Sequence, residues 1–181
     1  MHTLEEAENI VAGAPWGLPR ERVALDAALH RVLAEDAVAD MEMPPFDKAA
    51  VDGYACRLAE AAEELEVIEE VPAGAAPARA LGPGQCTKIM TGAPLPVGAD
   101  GVIMVEHTRE SRPGYILHTG QPLRPNYCKR AEDMRVGDVV LRAGTRLLPQ
   151  HLGILATVGA VNPLVSALPR VGVMATGSEL V

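Results

Sequence analysis

Three observations predict an α+β, strand-rich fold. Past residue 48 the apolar runs are short and separated by Gly- and Pro-containing turns, the pattern of many small strands. Helical spacing of apolar residues appears only near the two ends of the chain. Aromatic residues make up only 3% of the sequence, while Gly 17 and Pro 15 are plentiful, so a core of Ala, Val, Leu, Ile and Met must be divided among short elements. These observations predict an elongated, discontinuous helix/strand domain made from residues 1–47 and 139–168. A small β-barrel-like domain, residues 48–138, is inserted into it.

Thr3 with Glu6 forms a capping box ahead of Leu4, Ala7, Ile10 and Val11, which predicts a first helix over Leu4–Ala12. Gly13-Ala14-Pro15 ends it, and Trp16-Gly17-Leu18-Pro19 reads as a connector. Asp26 caps a second predicted helix running to Ala34, with Leu29, Val32 and Leu33 apolar and His30 at the surface. Ala37–Ala39 reads as a short strand. One or more helical turns are expected within Ala59–Leu65. Strands are expected at Glu66–Val71, Gln85–Met90, Gly101–Glu106 and Tyr115–His118, with Pro72–Pro83 as a loop. Val139–Leu141 and Gly144–Leu147 follow as short apolar segments. Pro149 suits the first position of a helix reaching Val158. Val171–Ala175 reads as a buried strand that runs into Thr176-Gly177-Ser178-Glu179.

Composition narrows the function classes. Hydrophobic content of 48% with 22% charged residues is globular. A net charge of −8 argues against a nucleic-acid surface but leaves room for an anion held by a local nest of amides. Cys56, Cys86 and Cys128 are odd in number and widely spaced, with no C-x-x-C and no Cys/His cluster. That pattern argues against a disulfide framework or a structural zinc site and fits reduced cytoplasmic thiols. The acidic start MHTLEEAEN lacks the apolar centre of a secretion signal. Residues 147–169 contain no Asp, Glu, Lys or Arg, but Pro149, Gly153, Gly159, Asn162 and Pro163 break the run, so no membrane span is expected.

The stretch Met43–Arg57, MPPFDKAAVDGYACR, organises the rest. Pro44 and Pro45 make its start extended. Asp52-Gly53 marks a bend where the glycine lets the backbone approach another group closely. A carboxylate is thereby expected at an exposed bend inside a stiff, partly apolar frame. A generic hairpin needs the Asp-Gly and not the Pro-Pro-Phe-Asp upstream.

This stretch resembles the molybdenum insertases, the family of bacterial MoeA, the plant insertase E domain and the gephyrin E domain. The form usual there is P-P-F-D-N-S-A-M-D-G-Y-A; here Lys48, Ala49 and Val51 replace Asn, Ser and Met. A second stretch, Ile89 to Asp100, agrees with the family's I-M-T-G-A-P-L-P-x-G-A-D throughout. Read physically, Thr91 and Gly92 sit at a strand's mouth, where a hydroxyl and free amides can donate to an anion. A rigid hairpin loop is the plainer reading of the same residues. A third stretch, Asn126–Asp133, resembles N-x-R-x-x-G-E-D, with Cys128 for Arg and Ala131 for Gly, and retains the Glu132-Asp133 pair. A fourth, Val171–Leu180, resembles V-x-x-x-S-T-G-D-E-L, with Ala175 for Ser and Ser178 for Asp.

The resemblance implies that residues 169–181 open a third domain, an α/β domain binding molybdopterin, which lies mostly beyond this chain. It implies a transferase of molybdenum cofactor biosynthesis that inserts molybdate into adenylylated molybdopterin with release of AMP. Asp52, Thr91, Asp133 and Glu179 are the implied catalytic residues; Gly92, Thr176 and Gly177 are the implied substrate-binding residues. It further implies a divalent cation, usually Mg2+, with no ligand set read from the sequence. A homodimer is implied, with Asp52 and Thr91 facing the partner's third domain, and also a hand-over from the molybdopterin-adenylylating protein. This fragment is expected to be inactive alone. Two rival readings are a scaffold or dimerisation module without catalysis, and an unrelated hydrolase using Asp52 and Glu179 as acid and base.

Overall fold

The computed structural model describes residues 2–14 and 17–174. Helix α1 (Leu4–Ala12) is followed by strands β1 (Arg20–Arg22), β2 (Ala37–Val38), β3 (Lys48–Ala49) and β4 (Gly53–Cys56). Next come β5 (Leu65–Val71), β6 (Gln85–Ile89), β7 (Gly101–Met104), β8 (Thr108–Arg112), β9 (Tyr115–His118) and β10 (Tyr127–Cys128). Strand β11 (Val139–Leu141), helix α2 (Pro149–Thr157) and strand β12 (Leu164–Ser166) complete the order. Single 3-10 turns lie at Leu25–Ala28, Leu58–Glu60 and Val105–His107. The fold is α+β and strand-rich, and its main sheet curls into a half barrel. The chain forms two compact units, Met1–Asp40 with Val139–Val181, and Met41–Asp138.

The Met41–Asp138 unit is built on a six-stranded sheet in the order β7-β4-β6-β5-β9-β8. Only the β5–β6 pair is parallel, and the Pro- and Gly-rich connection from Pro72 to Gly84 makes the necessary return. Alternation along the strands feeds two cores. Ala55, Val71, Ile89 and Val102 join Ala49 and Ala93 in one. Cys56, Leu65, Cys86, Ile103 and Ile116 join Ala61 in the other. Two cysteines join this core, whereas no methionine, a residue type expected in it, is buried among the described residues. The thiols are small enough to pack where neighbouring strands lie close. Strand β8, TRESR, lies at the sheet edge and has no buried residue. It carries no apolar alternation, so nothing in its pattern predicts it; its charges suit an edge that must not recruit further strands.

In the other unit, β1 pairs with β12 and β2 with β11, both antiparallel. Ala28, Leu33, Ala37, Leu141, Leu147, Leu155 and Val165 form its core. The helix expected from Asp26 to Ala34 is not formed; the segment is a 3-10 turn over Leu25–Ala28 followed by extended chain. Tertiary pairing explains the difference. Leu147 N donates to Arg31 O at 2.8 Å, Leu33 N to Thr145 O at 2.9 Å and Gly144 N to Leu33 O at 2.7 Å. These long-range bonds replace those a helix would make within itself.

Helix α1 has the expected bounds, and both halves of its capping box are present. None of its residues is buried. Helix α2 ends at Thr157, and its own Leu155 is fully buried, so its apolar side serves the unit's own core. Val171–Met174 is neither a strand nor buried: Val171, Val173 and Met174 are 78%, 96% and 84% exposed. A strand requires a hydrogen-bonded neighbour, and none pairs with these residues among those described. Ala175 and the residues after it lie outside the described residues.

Candidate functional site

The site begins at Gly53. A Cβ placed there would lie 2.0 Å from the carbonyl oxygen of Ile103, so only glycine lets β4 seat against β7. Gly53 faces Met104 across that pair and Ile89 across the β6 pair. The preceding residue, Asp52, is thrown onto an exposed bend at the mouth of the sheet. Its carbonyl oxygen is fixed by Val105 N at 3.1 Å.

The loop after β6 curls over to meet it. Ala49 N donates to Ala93 O and Gly92 N to Ala49 O, both at 2.9 Å, and Leu95 N donates to Asp47 O at 2.9 Å. Gly92 takes φ +90, a backbone conformation suited to glycine, to make this turn. Thr91 is thereby placed so that its backbone N and its hydroxyl Oγ1 both donate to Oδ1 of Asp52, at 2.7 and 2.6 Å. The Thr91 hydroxyl is the main cause holding the Asp52 carboxyl below its usual range, followed by the Thr91 amide; burial acts weakly the other way. Asp52 is therefore ionised through neutral pH, with Oδ1 engaged and Oδ2 outside these bonds.

This geometry corrects one expectation. The Thr91 and Gly92 amides are not free to hold an anion, because Thr91 N is spent on Asp52 and Gly92 N on Ala49. The loop uses these donors to position a carboxylate.

The third stretch is stitched to the same frame. Strand β10 pairs with β3, Tyr127 opposite Ala49 and Cys128 opposite Lys48. Arg130 N donates to Oδ1 of Asp47 at 2.8 Å, and its guanidinium pairs with Glu42. Ala131 adopts φ 60, which explains the preference for glycine at that position in the resembling motif. Asp133 is exposed and donates its backbone N to Met43 O at 3.0 Å. Among the described residues its side chain makes no bond to Asp52 or Thr91. Glu179, Thr176 and Gly177 lie outside the described residues. Sequence reading also missed Asp47 as an anchor; its place in the Pro-Pro-Phe-Asp run was the available signal.

A strand-rich unit that offers one anchored, ionised carboxylate at a bend braced by two further loops defines a class: a domain that exposes an anchored carboxylate at a sheet mouth. The model of the MoeA N-terminal region (domain I and II) matches residues 2–159. The chain belongs to the MoeA family. It is 42% identical over 175 residues to a molybdopterin molybdenumtransferase of Bacillus subtilis strain 168, covering 88% of this chain and 40% of that protein. To the protein of the same name from Staphylococcus aureus strain Mu50 it is 35% identical, covering 98% of this chain and 44% of the relative. The crystal structure of a molybdopterin biosynthesis MoeA protein from Pyrococcus horikoshii OT3 superposes with a TM-score of 0.81 at 41% identity, covering 90% of this chain and 45% of that one. The chain thus spans less than half the length of the relatives it matches.

Proposed function

We propose that this chain supplies the carboxylate-bearing wall of a molybdopterin molybdenumtransferase, an enzyme of molybdenum cofactor biosynthesis. In this reading the whole protein inserts molybdate into adenylylated molybdopterin and releases AMP. The observation that carries it is the Asp52–Thr91 pair, a carboxylate kept ionised by two short hydrogen bonds at an exposed bend. A low-pKa carboxylate is a poor general acid. It is suited to holding a cation or accepting a hydrogen bond from water or ligand, with Thr91 as its positioning residue. Asp133 and Glu179, with Gly92, Thr176 and Gly177 on the substrate, complete the proposed set.

The donor set at Asp52 fits a cation shared with substrate. One hard carboxylate oxygen remains, and no group of three or more His, Cys, Asp or Glu able to hold a metal occurs among the described residues. Magnesium typically takes one or two protein carboxylates with substrate phosphates. Asp52 would hold it, and the ion would offset phosphate charge when bound.

Pairing of two copies belongs to the same reading. Support comes from exposed apolar residues in the discontinuous unit: Leu4, Ile10, Val11, Leu168 and Val171 are 58% exposed or more, Val161 included. Sedimentation at micromolar concentration tests it, and a clean 19.1 kDa monomer would count against it. Free Cys56, Cys86 and Cys128 support a cytoplasmic setting. No described helix is long and apolar enough to cross a membrane.

The direct test is Asp52→Asn in a full-length family protein carrying this segment. Cofactor formation should fall by about 100-fold or more, while the unfolding midpoint drops only slightly with the loss of the charged Asp52–Thr91 bonds. Wild-type turnover would instead favour a scaffold module, for which Asp52 is dispensable.

A further inference from the structure

A groove beside Asp52 is not used by the site described above. It encloses about 290 Å³ and is lined by Met104, His107, Pro122, Arg124 and Asn126. Both of its walls are pinned. At one end Thr119 donates its backbone N and its hydroxyl to His107 O, at 2.9 and 3.0 Å. At the other, Val102 N donates to Pro125 O, and Asn126 Nδ2 donates to Val102 O, each at 2.9 Å. The groove thus lies between the two bonded ends of the 119–126 loop, beside the end of β7.

Its position ties it to Asp52. Met104 is the direct cross-strand partner of Gly53, and Ala50 N donates to Asn126 O at 3.0 Å. The two walls therefore bond to residues on either side of the Asp52 bend.

The charge is the deciding feature. The chain has 24 acidic and 16 basic residues, yet no carboxylate lines this groove. Arg124 is exposed, and its guanidinium enters no hydrogen bond or ion pair among the described residues. The cavity of the discontinuous unit makes the contrast. There Arg22 is matched by Glu35 at 3.0 Å, and Asp36 lines the same wall. An unmatched guanidinium, an imidazole and a half-buried amide, with one N–H already given to Val102 O, line this groove. Planar guanidinium N–H groups suit phosphate oxygens, and imidazole and amide N–H groups add donors. A phosphate brought beside ionised Asp52 meets like-charge repulsion, which Arg124 offsets.

We propose that the groove of His107, Arg124 and Asn126 is an oxyanion subsite that receives the phosphate-bearing part, a phosphoester or phosphoanhydride, of the ligand handled at Asp52. The link to that ligand rests on the molybdenumtransferase reading; the anion site itself does not.

The experiment titrates inorganic pyrophosphate into the 181-residue chain and follows ¹⁵N shifts of Met104–His107, the Arg124 side chain and the Asn126 amide. Saturable shifts confined to these groups are expected, with a dissociation constant on the order of millimolar that weakens with added salt. Arg124→Gln should weaken binding by about tenfold, and Arg124→Lys by less. Unfolding midpoints of both variants serve as the folding control. Equal binding by Arg124→Gln, or shifts scattered over other basic residues, would overturn the proposal. Arg124→Gln and Asp52→Asn in a full-length protein separate the two readings. A raised KM in the first supports the subsite. If Asp52→Asn abolishes turnover while Arg124→Gln changes neither KM nor pyrophosphate binding, the subsite falls alone. If pyrophosphate binds as expected and Asp52→Asn turns over normally, the transferase reading falls and the anion site stands.

Discussion

The two units of this protein solve burial in opposite ways. The Met41–Asp138 unit is continuous in sequence, and a six-stranded sheet closes a core on each of its faces. The discontinuous unit has strand pairs of two or three residues, a single core and a helix, α1, with nothing buried. Leu4, Ile10, Val11, Leu168, Val171, Val173 and Met174 stay exposed in it. The difference separates two uses of apolar residues. In the sheet unit they fix strand spacing to the point where a Cβ at position 53 cannot fit, and that tightness aims Asp52. In the discontinuous unit the core ties distant segments together and leaves apolar surface over.

The sharpest way to break the comparison is Gly53→Ala. With the added Cβ 2.0 Å from a backbone oxygen, β4 and β7 must separate, at a cost of roughly 3 kcal/mol or more. A lowered urea midpoint with unchanged slope would report it. Leu155→Ala probes the other unit. Removing a fully buried leucine should cost about 2–5 kcal/mol. Hydrogen exchange should quicken in α2 and leave β4–β6 protected; equal quickening in both would mean that the cores are not closed separately.

Thr91→Val acts on the site alone. It removes the larger of the two bonds that depress the Asp52 pKa, so that pKa should rise toward the usual carboxylate range in an NMR titration. The sign for stability follows from the depression. The Asp52–Thr91 bonds stabilise the fold above the unfolded carboxyl pKa, and the contribution is lost as pH falls through the lower folded value. In the variant that acid-side loss should shrink.

Thiol labelling distinguishes core from loop. Burial pushes Cys56 and Cys86 up to about 12, so both should resist a disulfide reagent at pH 8 until the protein unfolds. Half-exposed Cys128 should react first, though slowly, because the Glu132 carboxylate raises its pKa too. Thr3→Ala should have the smallest effect. It breaks the capping box and frays α1, but a helix that buries nothing should leave global stability within about 0.5 kcal/mol.

Local physics was enough, from sequence, for α1, β9 and the start of α2, because a capping box, a short apolar run and a helix-initiating proline act within a few residues. The Asp52 bend and the need for glycine beside it were legible for the same reason. Asp52 meeting Thr91 was not, since the two are separated by 39 residues and only the β4–β6 register brings them together. The same holds for the donors spent at Thr91 and Gly92, whose partners lie on the Asp52 bend and on β3. Arg31–Leu33 became extended because Thr145–Leu147 offered a ladder that outweighed its own helical pattern. Charged β8 became a strand because a sheet edge was there to receive it. The sequence by itself determined the alphabet of turns, caps and apolar runs. Only the tertiary structure decided which backbone groups were already paired, because hydrogen bonds between distant segments are set by register, and register is a property of the assembled sheet.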